Sequence, residues 1–425
     1  MPALLRPRPG AGFARLWTAT AVSNLGDGVT MVAGPLLLAT VTDDPALIAG
    51  GAFAAQLPWL LFSLVSGAWV DRLDRRRLVV AVNLLRGSTL AVVAVAVATG
   101  HATVPLIYLA WFLLGAGETL ADTAYGALLP SVVAPEDLER ANARLGATFT
   151  VANQFAAKPL GAWLYGIAAA VPFGLDAVTF VVAAVLIAGL HGVPEKSEID
   201  RDRPAGREHR DSSAPKGNLR EEITEGLRWL WGHRLLRTLA VAMGVANVAF
   251  CAAFAVFVLY ARERLGLSEV GYGFLLTTFA VGGLAGAGLA TRLARRFGTA
   301  AVLRAGLIVE ILTHLTLAIT TNPLVAGGVI VIFGVHTMVW GVLASAIRQR
   351  AVPDRLRGRV GGVHGLLETG GAALGWLLGA VFTQLWDVTT PFWIAAFAMV
   401  AVTAAAWRTL SLASPAPVRS EAAPG

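Results

Sequence analysis

The chain has 425 residues, of which 56% are hydrophobic and 14% charged, and a mean hydropathy of +0.65. Soluble domains carry about 25% charged residues. A chain of this length has no interior large enough to hide so much apolar side chain from water, so a soluble globular protein is excluded and a membrane protein expected. The net charge of +7 would also suit nucleic-acid binding, but the arginines sit in short loops beside apolar runs, the positive-inside pattern of a membrane protein.

Period-two alternation is absent, which argues against an outer-membrane barrel. The expectation is an all-α membrane protein of twelve transmembrane helices in two six-helix, pseudo-symmetric halves. The predicted spans are 14–38, 46–70, 78–99, 104–126, 144–166, 171–192, 232–260, 269–291, 298–320, 324–346, 359–384 and 388–409, most of them near the ~20 residues needed to cross hydrocarbon. Asp43-Asp44-Pro45, Gly100-His101, Pro172-Phe-Gly174, Thr321-Asn322-Pro323 and Thr389-Thr390-Pro391 punctuate the turns. This divides the chain into an N-terminal tail (1–13), an N-terminal bundle (14–192), a central linker (193–231), a C-terminal bundle (232–409) and a tail (410–425).

The N-terminal tail has arginines and prolines but no cleavage site after a short apolar core, so it reads as a cytoplasmic tail and not a signal. The first span carries Asn24 and Asp27 near one helical face. A carboxylate in hydrocarbon is costly unless paired, hydrated or protonated; Asp27 could bind a cation, exchange a proton, or hold neighbouring helices by hydrogen bonds. The hairpin after the second span reads Gly67-Ala-Trp-Val-Asp71-Arg72-Leu-Asp74-Arg75-Arg76-Arg77. Gly67 permits close helix approach. Asp71 can meet a facing helix start, and Arg72, Arg75 and Arg76 can reach phosphates or acidic partners. Such contacts form an ionic latch, made in one state and broken in another.

Arg86, early in span three, is expected to snorkel to the cytoplasmic surface as a helix-end scaffold. Glu118 and Asp122 stand one turn apart in span four, a proton-carrying pair in one reading, with Lys158 in span five as the positive partner to test. The polar linker has mixed charges and ends in an amphipathic stretch around Leu219–Trp231. The single Cys251 forms no intrachain disulfide and no thiolate metal site by itself.

In the second half, Thr291-Arg292-Leu-Ala-Arg295-Arg296 repeats the hairpin in degraded form, with Thr291 in place of the acid. Arg304 repeats Arg86. Glu310 lies mid-span. His336 and Trp340, one turn apart, could line a cavity with Trp340 stacking an organic ligand, although a satisfied core histidine is the commoner outcome. Glu368 opens Glu368-Thr-Gly370-Gly371, whose small residues permit tight packing. Three matches share an offset of 218 residues: Arg86 with Arg304, Pro135…Leu138 with Pro353…Leu356, and Gly161 with Gly379. They indicate duplication of a six-span unit, the layout of a secondary transporter.

Arginines before span one, between two and three, between eight and nine and around the ten–eleven loop put both termini in the cytoplasm; Arg262 and Arg264 are the exceptions on the opposite side. No P-loop, nucleophile elbow or zinc-ligand spacing occurs, so no enzyme activity, cofactor or metal is expected.

The hairpin resembles the signature loop of the major facilitator superfamily, and the resemblance runs from about residue 14 to 409. Arg15-Leu-Trp17, Ser23-Asn-Leu-Gly-Asp27, Asn83-Leu-Leu-Arg86 and Leu129-Pro130-Ser131-Val…Pro135…Leu138…Ala141-Asn142 are similar to bacterial enterobactin exporters and macrolide-efflux proteins. The resemblance implies a monomer in the bacterial inner membrane. It implies alternating access, a small organic substrate bound between the halves, and protons as the coupling ion, with Asp27, Glu118 and Asp122 as coupling candidates. Lipid is the other expected partner and nucleic acid is not one. Two features depart from drug/proton antiporters. Ala157-Lys158-Pro159-Leu-Gly161 stands where a Gly-Pro-rich signature is common, and span four offers Glu118 where an arginine is common.

Overall fold

The computed structural model describes residues 10–70, 73–134, 137–190, 219–353 and 356–413, and the described residues are helical throughout apart from turns. In chain order the helices are α1 (Ala11–Val41), α2 (Pro45–Val70), α3 (Arg75–Ala98), α4 (Val104–Val132), α5 (Leu138–Phe149), α6 (Ala157–Ile167), α7 (Val171–Ala188), α8 (Leu219–Gly232), α9 (Arg234–Ala255), α10 (Glu269–Phe297), α11 (Thr299–Ile319), α12 (Pro323–Ala351), α13 (Arg357–Leu385) and α14 (Thr390–Ala406). Ten of the described helices are long and apolar enough to cross a membrane.

Three expected spans are built differently; the one expected at 232–260 is α9, a single turn Phe257–Leu259 and then a π-helical segment Tyr260–Arg264. The span expected at 144–166 is a relay: α5, a π-helical segment Thr150–Ala156, then α6. Asn153 and Gln154 interrupt the apolar pattern there and lie within the π-helical segment, a geometry frequent at functional sites. The span expected at 388–409 is α14, only 17 residues long, or ~25 Å at 1.5 Å per residue, a few ångströms short of the ~30 Å hydrocarbon core. The amphipathic stretch that ends the linker is α8; residues 191–218, which include the rest of the linker, lie outside the described residues.

Turn chemistry sets the hairpins. Asp74 caps α3, its carboxylate accepting from the Arg77 amide at 2.8 Å. The second-half hairpin turns instead on Gly298, at φ +82°, a left-handed conformation that favours glycine. Asn322 caps α12 through its Oδ1, with Pro323 at the first helical position.

The halves pack in the same pattern. In the first, α2 packs on α4, α3 on α4 and α7, and α1 on α6 and α7; in the second, α10 packs on α12, α11 on α12 and α14, and α9 on α13 and α14. The duplicated glycines do the same work. A Cβ at Gly161 would collide with the Val29 carbonyl of α1, and one at Gly379 with the Ala252 carbonyl of α9. We expect Gly161→Leu and Gly379→Leu each to lower the yield of monodisperse protein in size-exclusion chromatography. Gly166→Leu, whose Cβ would meet open space, should leave it unchanged.

Two crossed pairs join the halves, α2 on α13 and α6 on α10. Their apolar cores differ by end. At the end opposite the arginine-bearing hairpins, one buried cluster contains residues of both halves, from Leu36, Leu37 and Tyr165 to Phe257, Tyr260 and Tyr272. At the arginine-bearing end, the clusters around Leu16, Val79 and Leu128 and around Leu239, Leu303 and Trp340 each draw on one half alone. Among the described residues, the buried clusters are thus shared by the halves at one end and confined to one half each at the other.

Candidate functional site

Asp27 of α1 and Arg86 of α3 form an ion pair, Nη2 to Oδ1 at 2.7 Å, inside the N-terminal bundle. The Arg86 side chain is only 7% exposed and does not snorkel as expected. Three helices make a place for it. Asp27 supplies the counter-charge, the Phe180 ring of α7 lies 4.2 Å from the guanidinium carbon, and α4 makes room for its stem at Gly117, where a Cβ would strike Arg86 Cγ. A partnered cation over an aromatic face has less to gain from reaching water. Its Nε is buried without a hydrogen-bond partner, leaving one prong of the fork unused.

Asp176 of α7 sits beside this pair, accepting from Thr30 Oγ1 at 2.5 Å and from Thr179 Oγ1 at 2.9 Å. Gly26 permits the approach, since a Cβ there would overlap the Asp176 carboxylate. Glu118 and Asp122 lie on the exposed face of α4, within electrostatic range of both Arg86 and Asp27. The structure thus gathers four carboxylates around one arginine. Asn83 extends the network by donating to Tyr125 Oη at 3.2 Å.

Lys158 does not join it. Its Nζ donates to Gln154 Oε1 at 2.6 Å, one turn back on the fifth-span relay, and not to Glu118. Asn153, beside Gln154 in the π-segment, donates to the Asn24 carbonyl at 3.0 Å and ties the π-turn to α1.

A second polar group occupies the C-terminal bundle. Glu310 of α11 and His336 of α12 are buried and paired, Nε2 to Oε2 at 3.2 Å. Both line a cavity of about 190 Å³ with Trp340, Phe250, Phe279 and Phe333. Glu368 stands apart: its carbonyl accepts from Asn247 Nδ2 at 2.5 Å, and its carboxylate is 4.0 Å from His364 Nε2. No metal-binding group of three or more His, Cys, Asp or Glu occurs among the described residues.

The hairpin residues are only partly in view. Gly67 lies within α2, while Asp71 and Arg72 fall outside the described residues. Arg76 donates to the Ala188 carbonyl, and Arg15 to that of Gly189, both at the C-terminus of α7. Arg75 is half-buried; Arg292, Arg295 and Arg296 are exposed at the end of α10. Arg304 caps α14, its Nε and Nη2 reaching the Trp407 carbonyl at 2.8 and 2.6 Å. The two exceptions to the charge rule behave alike: Arg264 caps α11 at Ile319 and Thr320, and Arg262 reaches across the halves to the Ala39 carbonyl of α1 at 3.1 Å. A cation at the negative end of a helix offsets the partial charge of its free carbonyls, so positive residues on this side need not report topology.

Residues 5–416 match the protein family described as transmembrane secretion effector. The chain belongs to that family. It is a multi-pass membrane transporter of the major facilitator type. Among similar proteins, the multidrug efflux pump Tap of Mycobacterium tuberculosis is 29% identical over 419 residues, covering 94% of this chain and 95% of the relative. Tap of Mycolicibacterium fortuitum is 28% identical over 384 residues, covering 85% and 86%. Among solved structures, a bacterial homologue of the iron transporter ferroportin in its inward-facing state aligns with TM-score 0.72 at 18% identity, covering 94% of this chain and 98% of that one. The outward-facing state of such a homologue aligns with TM-score 0.58 at 19% identity, covering 96% and 100%.

Proposed function

We propose that this transporter exports amphipathic organic compounds in exchange for protons, by alternating access of two six-helix halves, residues 14–192 and 232–409. In this reading the fifth-span relay and α14 complete twelve spans, both termini are cytoplasmic, and the arginine-bearing end faces the cytoplasm. The seal shared by both halves then lies on the outer side, which makes this the inward-facing state, in keeping with the higher likeness to the inward-facing homologue. The efflux-pump relatives favour export and an organic substrate.

The observation that carries the reading is Arg86 held by Asp27 with Asp176, Glu118 and Asp122 in range. Protonating Asp27 removes the anion that fixes Arg86. The guanidinium, with one prong already unused, is then free to engage Glu118 or Asp122 on α4. A proton is thereby converted into a change of contact between helices, which a transporter needs to couple ion flow to a switch of state. The hairpin arginines would serve the switch itself, as a latch.

The test is proton-coupled efflux in energised inverted vesicles, with a panel of dyes, macrolides and siderophores, the last two chosen for the resemblance to macrolide and enterobactin exporters. Wild type should alkalinise the acidified lumen measurably on substrate addition, as protons leave in exchange for the compound, and Asp27→Asn and Glu118→Gln should lower that coupled flux by about 10²-fold or more for a group that carries the transferred proton. Solute flux without proton movement would point to another ion. Neither flux across the panel would favour a membrane sensor or scaffold.

A further inference from the structure

The Glu310 cavity has features that the N-terminal cluster does not explain. Trp340 is 7% exposed and its indole N–H, buried in the cavity wall, has no hydrogen-bond partner. A buried donor left unmade is costly, and an ordered water or a ligand acceptor would each satisfy it. The opposing walls are aromatic: Phe250 stacks on both Phe279 and Phe333, with centroids 5.8 and 5.9 Å apart. Neither lysine nor arginine lines the cavity, and Glu310 is its acidic residue.

A second, wider space adjoins the cavity. Phe279, Thr337 and Gly341 border the cavity and border this groove of about 600 Å³ between α10 and α12, which runs to Gln349 near the arginine-bearing end. Apart from Thr337, Ser345 and Gln349, that groove is lined by glycines and apolar side chains. The narrow chamber has room for about six water-sized units at ~30 Å³ each, one ring or a small head group. The wide one holds an apolar body. A carboxylate among aromatic faces attracts a cation and repels an anion, and a ligand acceptor that displaces the packing over the buried indole N–H would satisfy that donor.

We propose that Glu310, His336 and Trp340 form the head-group subsite of this transporter and that the α10–α12 groove holds the rest of the ligand, so that the compounds taken best are amphipathic organic cations bearing a hydrogen-bond acceptor. This rests on the export reading for its direction, but not for the site. The Glu310–His336 pair supplies the anchor. An arriving cation takes the carboxylate face opposite His336, and Trp340 fixes its orientation.

Equilibrium binding to the full chain in lipid nanodiscs tests it, with rhodamine 6G (a cation with an ester carbonyl), tetraphenylphosphonium (a cation without an acceptor) and fluorescein (an anion). Glu310→Gln keeps a hydrogen-bonding partner for His336 and should weaken both cations by about tenfold, the ratio that 1.4 kcal/mol produces. Trp340→Phe should weaken rhodamine severalfold and leave tetraphenylphosphonium unchanged. Gly341→Leu fills the border between cavity and groove, where a Cβ meets open space, and should weaken both while leaving the melting temperature intact. Unchanged Kd in Glu310→Gln and Gly341→Leu, fluorescein binding as tight as rhodamine, or no cation binding by wild type would each overturn the proposal. If vesicles still export neutral compounds in any of those cases, the export reading stands. Cation binding altered as expected, with no efflux of any panel compound, would sink the export reading and leave the site.

Discussion

Replacing Arg86 by methionine should be the most damaging single change in the N-terminal bundle. Methionine matches the aliphatic stem that passes Gly117 but leaves Asp27 without its counter-charge among Asp176, Glu118 and Asp122. Breaking a fully buried pair from one side costs about 3–5 kcal/mol; Asp27 keeps 27% of its side chain exposed, so the loss here should fall below that range. The melting temperature of purified Arg86→Met should fall accordingly, and coupled efflux should be lost. Asp27→Asn/Arg86→Met removes both charges, and by the same argument should recover much of the stability. It should recover none of the proton coupling. That split separates a packing role from a coupling role. Recovery of coupled transport in the double variant would show that the pair is only a strut and that Glu118 or Asp122 carries the proton unaided. A double variant no more stable than Arg86→Met would show that the cost lies in the lost stack on Phe180 and not in the stranded charge.

The pairing itself was out of reach of the sequence, and the reason is geometric. Hydropathy and turn residues locate helices along the membrane normal. Asp43-Asp44-Pro45 and Thr321-Asn322-Pro323 fall at the helix boundaries they suggest, and the offset of 218 residues marks Gly161 and Gly379, which seat α1 and α9 alike. Neither signal reports the rotation of a helix about its axis, and a polar residue's partner depends on that rotation. Hence Arg86 looked like a snorkelling helix-end residue, although Asp27 of α1 waited at the same depth. Lys158 looked like a mate for Glu118 because spans four and five are neighbours in sequence. The fifth-span relay turns Lys158 toward Gln154 instead, through a π-segment that hydropathy does not register. In the second half, Glu310 and His336 were both visible as costly polar residues in apolar helices; their contact, across 26 residues, was not.

Arg262→Ala should shift the balance between transporter states without touching either polar cluster. Arg262 donates from the C-terminal half to the Ala39 carbonyl at the end of α1, so this bond exists only while that end is closed. Arg262 is exposed, so water competes for its guanidinium and the bond contributes about 0.5–1 kcal/mol; its loss should raise the population opened at that end by roughly two- to fivefold, at 1.4 kcal/mol per decade. Spin labels at Asp43 and Thr321, exposed turns of opposite halves on that side, would read the change as a longer-distance component in pulsed electron resonance. Arg262→Lys keeps the charge near the helix end and should fall between the two. The contact is small beside the apolar seal of Leu36, Leu37, Tyr165, Phe257 and Tyr272 around it. That seal is symmetric in kind, since apolar surfaces part and re-form without regard to direction or register. A directional bond to one carbonyl is what sets the closed geometry. If the distances do not move in Arg262→Ala, the apolar seal alone determines closure, and the two exceptional arginines serve only to quench helix ends.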